Sequence, residues 1–547
     1  MNNGAILLAL ALAAFAAGYF LYSRFVGRVI GIDPDRKTPA ETQRDDIDYV
    51  PAHPLVLFGH HFAAIAGAGP IVGPVFAAEF GWGAVAIWVV VGAIFIGAMH
   101  DMVALFLSVR HRGQSIGVVI GELIGAPARI LFLLFTWSVL VLVIGEFTRQ
   151  IALAFTANPA IATSSLLFIG EAVVFGLCVY RFGMSVVGAS LVFVPLMFVS
   201  VWIGELCPLD LAAYGLSTDA VRTVWIVILL VYCFFASSCP VWALLQPRDY
   251  LSSYLLYVMA ALGVFGVAVA HPTLTLPAFS GFAISHGEGC VDTLFPLLFV
   301  LVSCGAVSGT HAVIASGTTS KQLANERHIR PIGYGGLLVE GLLAIVSIIA
   351  IAGMYATQSD YLADVAVKPP ALLFANAIAG FCAKVGIPVK LSSGFVMLAI
   401  SAFLMTTVDA CTRLARFSWQ ELTVHAPKAV NGKFVATTVA CAAAAGLLVG
   451  KSGARESLWA ILMSANQLIA ALTLLAATLW LLKNRKPCWM TLLPMLFMFA
   501  VSVWALVLLF MKSVAIGDAI RTVATGFLLV LSVVLVFLSA FRAKAVR

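Results

Sequence analysis

Charged residues are scarce in this chain, and the common motifs for nucleotide or zinc chemistry are absent. Asp, Glu, Lys and Arg make up 10% of the 547 residues, whereas 62% are hydrophobic. There is no GxGxxG after a strand, no GxxxxGKS and no HExxH, so the phosphate cradles of dinucleotide and ATP enzymes and the ligands of zincin proteases are missing. The sequence therefore predicts that the protein is not an enzyme. It also predicts that no ATP hydrolysis supplies energy, so energy for any solute movement comes from an ion gradient or from the gradient of the solute itself.

Cysteine pairs of the CxxC type are also lacking among the ten cysteines. This excludes a zinc ribbon and a thioredoxin-like motif. Most cysteines lie inside apolar runs, where a thiol packs as a small residue. Cys207 and Cys290 fall in predicted outer loops, where an oxidising compartment would permit a disulfide between them.

Long apolar runs dominate what is present. Many are about 20 residues long, the length that an α-helix needs to cross a bilayer. The sequence therefore predicts an all-α polytopic membrane protein with about 15 transmembrane helices. We place the spans at residues 4–22, 62–80, 83–108, 128–157, 163–180, 185–204, 224–239, 250–270, 294–320, 332–355, 392–411, 434–449, 456–482, 489–511 and 519–540.

The net charge of +7 reflects basic residues in short loops between apolar runs. In a membrane protein this pattern indicates topology, so we expect the lipid bilayer and no nucleic acid as a partner. Placing the N-terminus outside puts most Lys and Arg in inner loops and the C-terminal FRAKAVR in the cytoplasm. The first span has no basic n-region, so we interpret it as a retained helix and not as a signal peptide.

Two spans contain closely spaced glycine and proline. They are GHHFAAIAGAGPIVGP at residues 59–74 and SCGAVSGTHAVIASGTTS at residues 303–320. Such segments cannot keep continuous helical hydrogen bonds, and the freed backbone groups need protein or a polar cavity. We predict two broken helices that bind substrate. The candidate ligands in the breaks are Gly67, Gly69, Ser308, Thr310 and His311.

The order of elements recurs in the two halves of the chain. Each broken span is followed by a plain helix, then by a short apolar piece (residues 115–127, with Glu122, or 369–388, with Asn376), and then by a long helix. The predicted topology inverts one half relative to the other, as in many secondary transporters. The predicted organisation is an N-terminal transmembrane helix (1–23), a cytoplasmic linker (24–58), a first inverted repeat (59–204), intervening helices (205–291), a second inverted repeat (292–482) and C-terminal helices (483–547).

The long helix of each half carries an acid with an arginine one turn later. Glu146 and Arg149 have i, i+3 spacing, and Asp409 and Arg413 have i, i+4 spacing, so each pair shares a helix face. Two interpretations stay open. The pairs brace the bundle, or one opens so that the acid takes a proton and the arginine binds a substrate carboxylate.

A histidine cluster is predicted on the inner side of the first half. His60 and His61 enter the first broken helix, and His100 and Asp101 lie in the helix that returns to the same side. These groups could relay protons, since histidine titrates near neutral pH, or bind a divalent metal. Buried histidines that are simply hydrogen-bonded are the third interpretation.

The segments GHHFAAIAGAGPIVGPVFAAEFGWG, GAMHDM, SVRHRGQSIG, TTVDACTRLARFSWQEL, ESLW and SANQLIAALTL resemble the CstA family of carbon starvation proteins. The resemblance covers nearly everything after Tyr49. It implies an inner-membrane transporter that takes up peptides or, with protons, pyruvate when carbon is short. It also implies an APC/LeuT-like fold with an inverted five-helix repeat. The chain departs from the family in being shorter than its large members and in having Cys411 where the DAGTR motif has glycine.

Together these observations predict a proton-coupled secondary active transporter that imports short peptides or pyruvate. Glu146, Asp409, His100 and Asp101 are the candidate proton-coupling groups, and Arg149 and Arg413 join the candidate substrate ligands. Na⁺ is the alternative coupling ion, and no cofactor is required by any motif. The rival functions are a metal-dependent membrane enzyme and a nutrient sensor, although the sequence shows no sizeable soluble output domain. Whether the protein works as a homodimer is left open.

Overall fold

The protein is almost entirely α-helical in the computed structural model, which describes residues 2–45, 49–239, 244–286, 291–448 and 458–545. The helices and strands, in chain order, are α1 (Gly4–Ala17), α2 (Ser23–Ile30), α3 (Pro39–Thr42), α4 (Pro54–Ile65), α5 (Gly69–Ala77), α6 (Trp82–Gly92), α7 (Ala98–Arg110), α8 (Ile116–Ile124), α9 (Ala126–Ala157), α10 (Pro159–Tyr180), α11 (Val186–Leu206), α12 (Thr218–Ser238), α13 (Leu245–Ala270), β1 (Ala283–Ser285), β2 (Val291–Thr293), α14 (Leu294–Leu301), α15 (Thr310–Ile314), α16 (Ser320–Gln322), α17 (Gly335–Ala352), α18 (Gln358–Val367), α19 (Pro370–Lys384), α20 (Val389–Leu422), α21 (Lys428–Asn431), α22 (Lys433–Leu448), α23 (Trp459–Lys483), α24 (Trp489–Ile516) and α25 (Ala519–Ala545).

The predicted polytopic membrane class is confirmed by the length and composition of these helices. Within the described residues, 11 helices are long and apolar enough to cross a membrane, or 12 if the bent pair α4–α5 counts as one span. In the described part of the chain, the predicted span at 294–320 corresponds to the short helices α14 to α16, and the span at 434–449 corresponds to the 16-residue α22. The span at 519–540 lies within α25, in which residues 519–535 form a shorter apolar stretch. The number of about 15 crossings is not confirmed and stays a prediction.

Among the described residues, four π-helical turns interrupt the apolar helices. They are Gly18–Tyr22 between α1 and α2, Ala93–Gly97 between α6 and α7, Ala315–Thr319 between α15 and α16, and Arg330–Tyr334 before α17. A π turn adds one residue to a helical turn, and such bulges are frequent at functional sites. Two of the four directly adjoin the segments that carry His100 and His311.

The N-terminal helix extends beyond its predicted end at residue 23. It continues through α2 and ends at Gly31, which has a left-handed φ of 84°. Glycine at this position after a helix is a common stop signal because it has no Cβ to clash. Arg24 and Arg28 thus lie within the helix and not in the predicted linker.

The chain divides into two compact units that are each discontinuous in sequence. The first comprises Met1–Ala5, Leu140–Leu276 and Ile349–Ser457, and the second comprises Ile6–Val139, Pro277–Ile348 and Leu458–Arg547. The first unit contains most of α9, helices α10 to α13, and helices α18 to α22. The second contains both predicted breaks. The linear domain boundaries given above stay predictions.

The first predicted break lies between α4 and α5 in the second unit. The two helices are bent by 42°. Helix α4 ends at Ile65, and the amide of Gly67 donates to the Ile65 carbonyl at 2.8 Å instead of continuing the helix. Helix α5 restarts at Gly69 with Pro70 in its first turn, where a missing N–H costs nothing. The sequence signal of Gly and Pro therefore located this break correctly.

The second predicted break separates α14 from α15 in the same unit. Helix α14 ends at Leu301, and α15 begins at Thr310. The chain between them is held by a hydrogen bond of 2.9 Å from the Ser303 hydroxyl to the Val307 carbonyl. The expected interruption is therefore present, and it places Ser308 directly before the new helix.

The short apolar pieces also form as predicted. Residues 115–127 contain the nine-residue helix α8, whose N-cap is the side chain of Ser115. Residues 369–388 contain the 15-residue helix α19. Both precede the long helices α9 and α20, although the ten-residue helix α18 lies before α19 in the second half. The repeated element order is present with this one addition, and the inversion of one half relative to the other stays a prediction.

Candidate functional site

Asp101 of α7 lies fully buried between two histidine side chains. The Nδ1 atom of His100 is 2.7 Å from Oδ1 of Asp101, and Nδ1 of His311 is 2.8 Å from Oδ2. All three side chains are at most 1% exposed. Each carboxylate oxygen thus meets one imidazole, and hydrogen-bonding partners of this kind lower the cost of burying a carboxylate.

Glu340 of α17 continues this arrangement on the far side of His311. Its Oε2 atom is 3.3 Å from Nε2 of His311, and the side chain is fully buried. In the described part of the chain, neither oxygen of Glu340 has an aligned hydrogen bond. His100, Asp101, His311 and Glu340 therefore form a continuous series of buried titratable groups, named here the Asp101 relay. Such a series can move a proton by passing it between neighbours.

His61 of α4 lies beside this relay but bonds elsewhere. Its Nδ1 atom is 2.9 Å from the hydroxyl of Thr319, in the π turn that follows His311. It also interacts electrostatically with Asp101 and with His60. The first broken span thus supplies a polar side chain to the vicinity of the relay, as the sequence predicted.

Asn466 of α23 caps the restart of the second broken helix. Its Oδ1 atom accepts a hydrogen bond of 2.8 Å from the amide of Thr310, and its Nδ2 donates to the Ser308 hydroxyl at 3.0 Å. Ser308 and Thr310 also share a hydrogen bond of 3.0 Å. A helix N-terminus has unsatisfied N–H groups, and here another helix satisfies one of them.

The two breaks approach each other where only glycine fits. A Cβ added to Gly69 would overlap the side chain of Cys304. A Cβ on Gly73 would likewise overlap the Leu301 carbonyl. The predicted glycine Gly69 therefore makes room for the Cys304 side chain, and Gly73 permits backbone contact between the broken segments. Gly67 supplies the bond to Ile65 already described.

In the first unit, the predicted pair of α9 is formed. The guanidinium of Arg149 donates to Glu146 through Nε at 2.9 Å and NH2 at 2.7 Å, and Gln150 donates to the same carboxylate at 2.8 Å. All three side chains are buried. A bidentate pair with a third donor is geometrically strong, so this cluster is suited to bracing α9.

The predicted pair Asp409–Arg413 is formed only in part: the two groups interact electrostatically, but within the described residues each makes its direct bond elsewhere. Asp409 of α20 bonds to Arg248 of α13 and accepts a hydrogen bond of 2.9 Å from Tyr232 of α12. Arg413 instead donates to the Cys239 carbonyl at 2.8 Å. The spacing rule finds partners on one helix only, whereas Arg248 comes from another helix in the bundle. Arg248 was assigned to a loop because the predicted span began at residue 250.

The predicted metal ligands His60, His61, His100 and Asp101 are not gathered as one set. Among the described residues, one group brings three ligand atoms within 4.8 Å of one another, and it consists of Glu79, His286 and Asp292. A metal bound by the predicted set therefore stays a prediction.

Three smaller predictions have mixed outcomes. The Oδ1 atom of Asn376 accepts a hydrogen bond from Ser393 at 3.0 Å, and Glu122 lies 3.8 Å from His111, so both make local contacts. Cys207 is a free, exposed cysteine. Its predicted disulfide partner Cys290 lies outside the described residues.

Sequence reasoning missed Glu340, Arg248, Tyr232 and Asn466. Glu340 had a readable signal, because it is the one acid in the apolar stretch 333–352 and an intramembrane acid needs a partner. Asn466 lies in SANQLIAALTL, where a buried amide among apolar residues is similarly costly. Their partners are far away in sequence, and no local spacing identifies them.

Comparison with known proteins gives a consistent result. The family model for carbon starvation protein CstA matches residues 3–368 and 355–505. The peptide transporter CstA of Escherichia coli is 32% identical over 88% of this chain and 77% of its own length. The peptide transporter CstA of Mycobacterium tuberculosis is 33% identical over 90% of this chain and 73% of its own. The pyruvate/proton symporter BtsT of E. coli is 29% identical over 90% and 80%.

Among solved structures, the crystal structure of MhsT in complex with L-phenylalanine has a TM-score of 0.47. It is 12% identical and covers 89% of this chain and 99% of its own. Similarity at this level carries no argument about the present fold.

Proposed function

Because the chain belongs to the CstA family of carbon starvation proteins, we propose that it is a secondary active transporter that imports short peptides, pyruvate or both when carbon is scarce. Relatives named as peptide transporters and as a pyruvate/proton symporter support this proposal. The multi-pass helical fold supports it as well. The expected location is the bacterial inner membrane, with the N-terminus outside and the C-terminus in the cytoplasm.

The observation that carries the coupling mechanism is the Asp101 relay. It contains two carboxylates and two imidazoles with almost no exposure. Burying titratable groups at membrane depth is costly, and groups that are retained there commonly mark an ion or proton path. His311 contacts an acid on each side, so a proton on its imidazole favours the charged form of both. We therefore assign the proton-carrying role to Asp101, His311 and Glu340.

Substrate recognition is assigned to the two breaks beside the relay. Ser308 and Thr310 supply hydroxyl groups at the second break. Gly67 and Gly69 have no side chain, so the backbone itself is the polar group that the first break offers. Unwound backbone in a membrane protein is tolerated where it lines a cavity, and its polar groups suit a carboxylate or a zwitterion. A proton on the relay changes the charge next to this site, which couples proton and substrate.

Uptake into proteoliposomes tests the proposal. Labelled pyruvate and labelled alanyl-alanine are each measured with no gradient, with an inward proton gradient and with an inward Na⁺ gradient. We expect accumulation of one or both solutes with the proton gradient. Asp101→Asn is expected to abolish accumulation while solute exchange continues, because an amide cannot release the proton.

The matched control is Glu171→Gln, which neutralises another buried membrane acid whose partner is Ser200. It is expected to leave accumulation intact. Accumulation driven by Na⁺ alone would replace the proton as coupling ion. No accumulation of either solute at verified reconstitution would refute the substrate assignment.

A further inference from the structure

A small hairpin before the second break meets the end of the first broken span. Strands β1 and β2 pair antiparallel, with Ile284 opposite Asp292, and His286 directly follows β1. Glu79 lies in the 3₁₀ turn Ala78–Phe80 that ends the first broken span. All of these residues belong to the second compact unit.

Backbone hydrogen bonds fix the position of the hairpin relative to that turn. The amide of Ser280 donates to the Phe80 carbonyl at 3.1 Å, and the amide of Gly83 donates to the Ala278 carbonyl at 2.9 Å. Gly81 has a φ of 99°, and a Cβ there would strike the backbone of Ala278. Glycine is therefore needed for this approach, and the side chains near it are held by a defined backbone.

Three side chains converge at this junction. Nε2 of His286 lies 3.1 Å from Oε2 of Glu79 and 3.2 Å from Oδ2 of Asp292. The side chains of Glu79, His286 and Asp292 are 9%, 16% and 23% exposed. The site is thus partly shielded and contains one nitrogen and two carboxylate oxygens, each from a different segment.

The His286 ring faces both carboxylates through the same atom. Its Nε2 atom is buried, and within the described structure neither contact meets strict hydrogen-bond alignment. A single N–H points best at one acceptor, but here two acceptors lie 3.1 and 3.2 Å away. A metal held at about 2.0–2.1 Å by each atom would place its ligand atoms roughly 2.9–3.4 Å apart in octahedral or tetrahedral geometry. The two spacings from His286 to the carboxylates, 3.1 and 3.2 Å, fall in that range, and all three ligand atoms lie within 4.8 Å of one another.

The charges at the junction favour a cation. The ammonium group of Lys512 lies 3.0 Å from Oδ1 of Asp292. The other oxygen of that carboxylate, Oδ2, faces His286 and is the one that would bind the metal ion. Both carboxylates also favour a proton on the His286 ring, so a proton is the competing occupant. The donor set of imidazole and two carboxylates suits Zn²⁺ and similar ions better than Ca²⁺ or Mg²⁺, which prefer oxygen alone.

We propose that Glu79, His286 and Asp292 bind one divalent transition-metal ion of the zinc type. The ion would link the end of the first broken span to the hairpin that leads into the second. This site is separate from the Asp101 relay and does not depend on the transport proposal.

Zinc binding to the full-length protein tests the site. Protein purified in detergent and stripped with a chelator is titrated with Zn²⁺ against a chromophoric chelator, and the retained metal is measured by mass spectrometry. We expect one tightly bound equivalent in the wild type. Glu79→Gln, His286→Gln and Asp292→Asn should each weaken binding by about tenfold or more, since each removes a ligand.

The matched control is His111→Gln, which removes a histidine that lies 3.8 Å from one carboxylate, that of Glu122. It should bind Zn²⁺ as the wild type does. X-ray absorption of the zinc-loaded wild type needs no variant and is expected to show a single imidazole among oxygen ligands. If no stoichiometric zinc binds, a proton and not a metal ion holds His286 between the two carboxylates. If the spectrum shows sulfur ligands or several imidazoles, the zinc binds at a different site. Either result overturns the proposal.

Discussion

The Nδ1 atom of His311 lies 2.8 Å from Oδ2 of Asp101, although 210 residues separate them in sequence. This contact joins α7 to the helix that restarts after the second break. It is fully buried, so the charge state of one group fixes what the other can do. A change in protonation at this pair therefore reaches the broken segment without any intermediate residue.

Glu340→Gln should remove gradient-driven accumulation. The substitution keeps the shape of the side chain but takes away the group that lies 3.3 Å from His311 at the end of the relay. Exchange of solute across the membrane should continue, because exchange needs no net proton movement. Uptake and exchange in proteoliposomes measure the two activities separately, and Glu171→Gln again serves as control.

Loss of both activities in Glu340→Gln, with the protein folded by size-exclusion chromatography, would assign Glu340 to substrate binding. Normal accumulation would remove it from the coupling path.

Asp409→Asn should destabilise the protein through Arg248. The guanidinium is 1% exposed and bonds to this carboxylate, so the variant leaves a buried charge without its counter-ion. Breaking a buried pair in this way costs about 3–5 kcal/mol of unfolding free energy. The double variant Asp409→Asn with Arg248→Gln should recover most of the loss, as measured by thermal unfolding in detergent.

The control for this pair is Asp219→Asn, which breaks an exposed pair with Arg222 and should change the unfolding temperature little. If Asp409→Asn keeps its thermal stability but loses concentrative uptake alone, Asp409 carries the coupling proton as the sequence predicted, and the bracing interpretation fails.

Gly69→Ala should be poorly tolerated despite its small size. The added Cβ would overlap Cys304, so the two broken segments would have to separate. Overpacking of this kind costs about 1–3 kcal/mol. We expect a lower unfolding temperature and slower uptake, with partial recovery in the double variant Gly69→Ala with Cys304→Gly.

Gly170→Ala is the matched control, since a Cβ at that helical position meets nothing within 4 Å. It should be neutral or slightly stabilising. An equal effect of the two alanine substitutions would show that close contact between the breaks is unimportant.

Asn466→Ala should loosen the restart of the second broken helix. The variant leaves the Thr310 amide without its acceptor and removes one of the two hydrogen bonds of the Ser308 hydroxyl, at a cost of about 1–3 kcal/mol. If these groups bind substrate, the Michaelis constant for uptake should rise more than the maximal rate falls. Ser464→Ala on the same helix removes a local hydrogen bond to Ala460 and is the control. Unchanged kinetics in Asn466→Ala would separate this cap from the binding site.

The local features of the fold were predictable from the sequence because local chemistry determines them. Gly67, Gly69 and Pro70 together disfavour a continuous helix, and the i, i+3 spacing of Glu146 and Arg149 puts both side chains on one helix face, where they pair. His100 and Asp101 are adjacent in sequence, so their proximity was predictable as well.

The partners that come from distant helices were not predictable. Arg248 replaces Arg413 as the partner of Asp409, and Glu340 completes the relay from another span, because these contacts depend on how helices pack. Charge gives a partial guide, because a buried ion must have a counter-ion, but charge alone does not identify which residue supplies it. Pairing unassigned intramembrane charges across helices would have offered Glu340 as a candidate for His311.

The π turn Ala93–Gly97 sets the rotational phase of the helix that follows it. One residue of an α-helix corresponds to about 100° around the axis. Without the extra residue, the Asp101 side chain would be rotated by about 100° around the helix axis, away from His311. The four side chains of the Asp101 relay would all still be present. Alignment of the relay is thus a matter of residue count, and a one-residue deletion within 93–97 would disconnect it while conserving its chemistry.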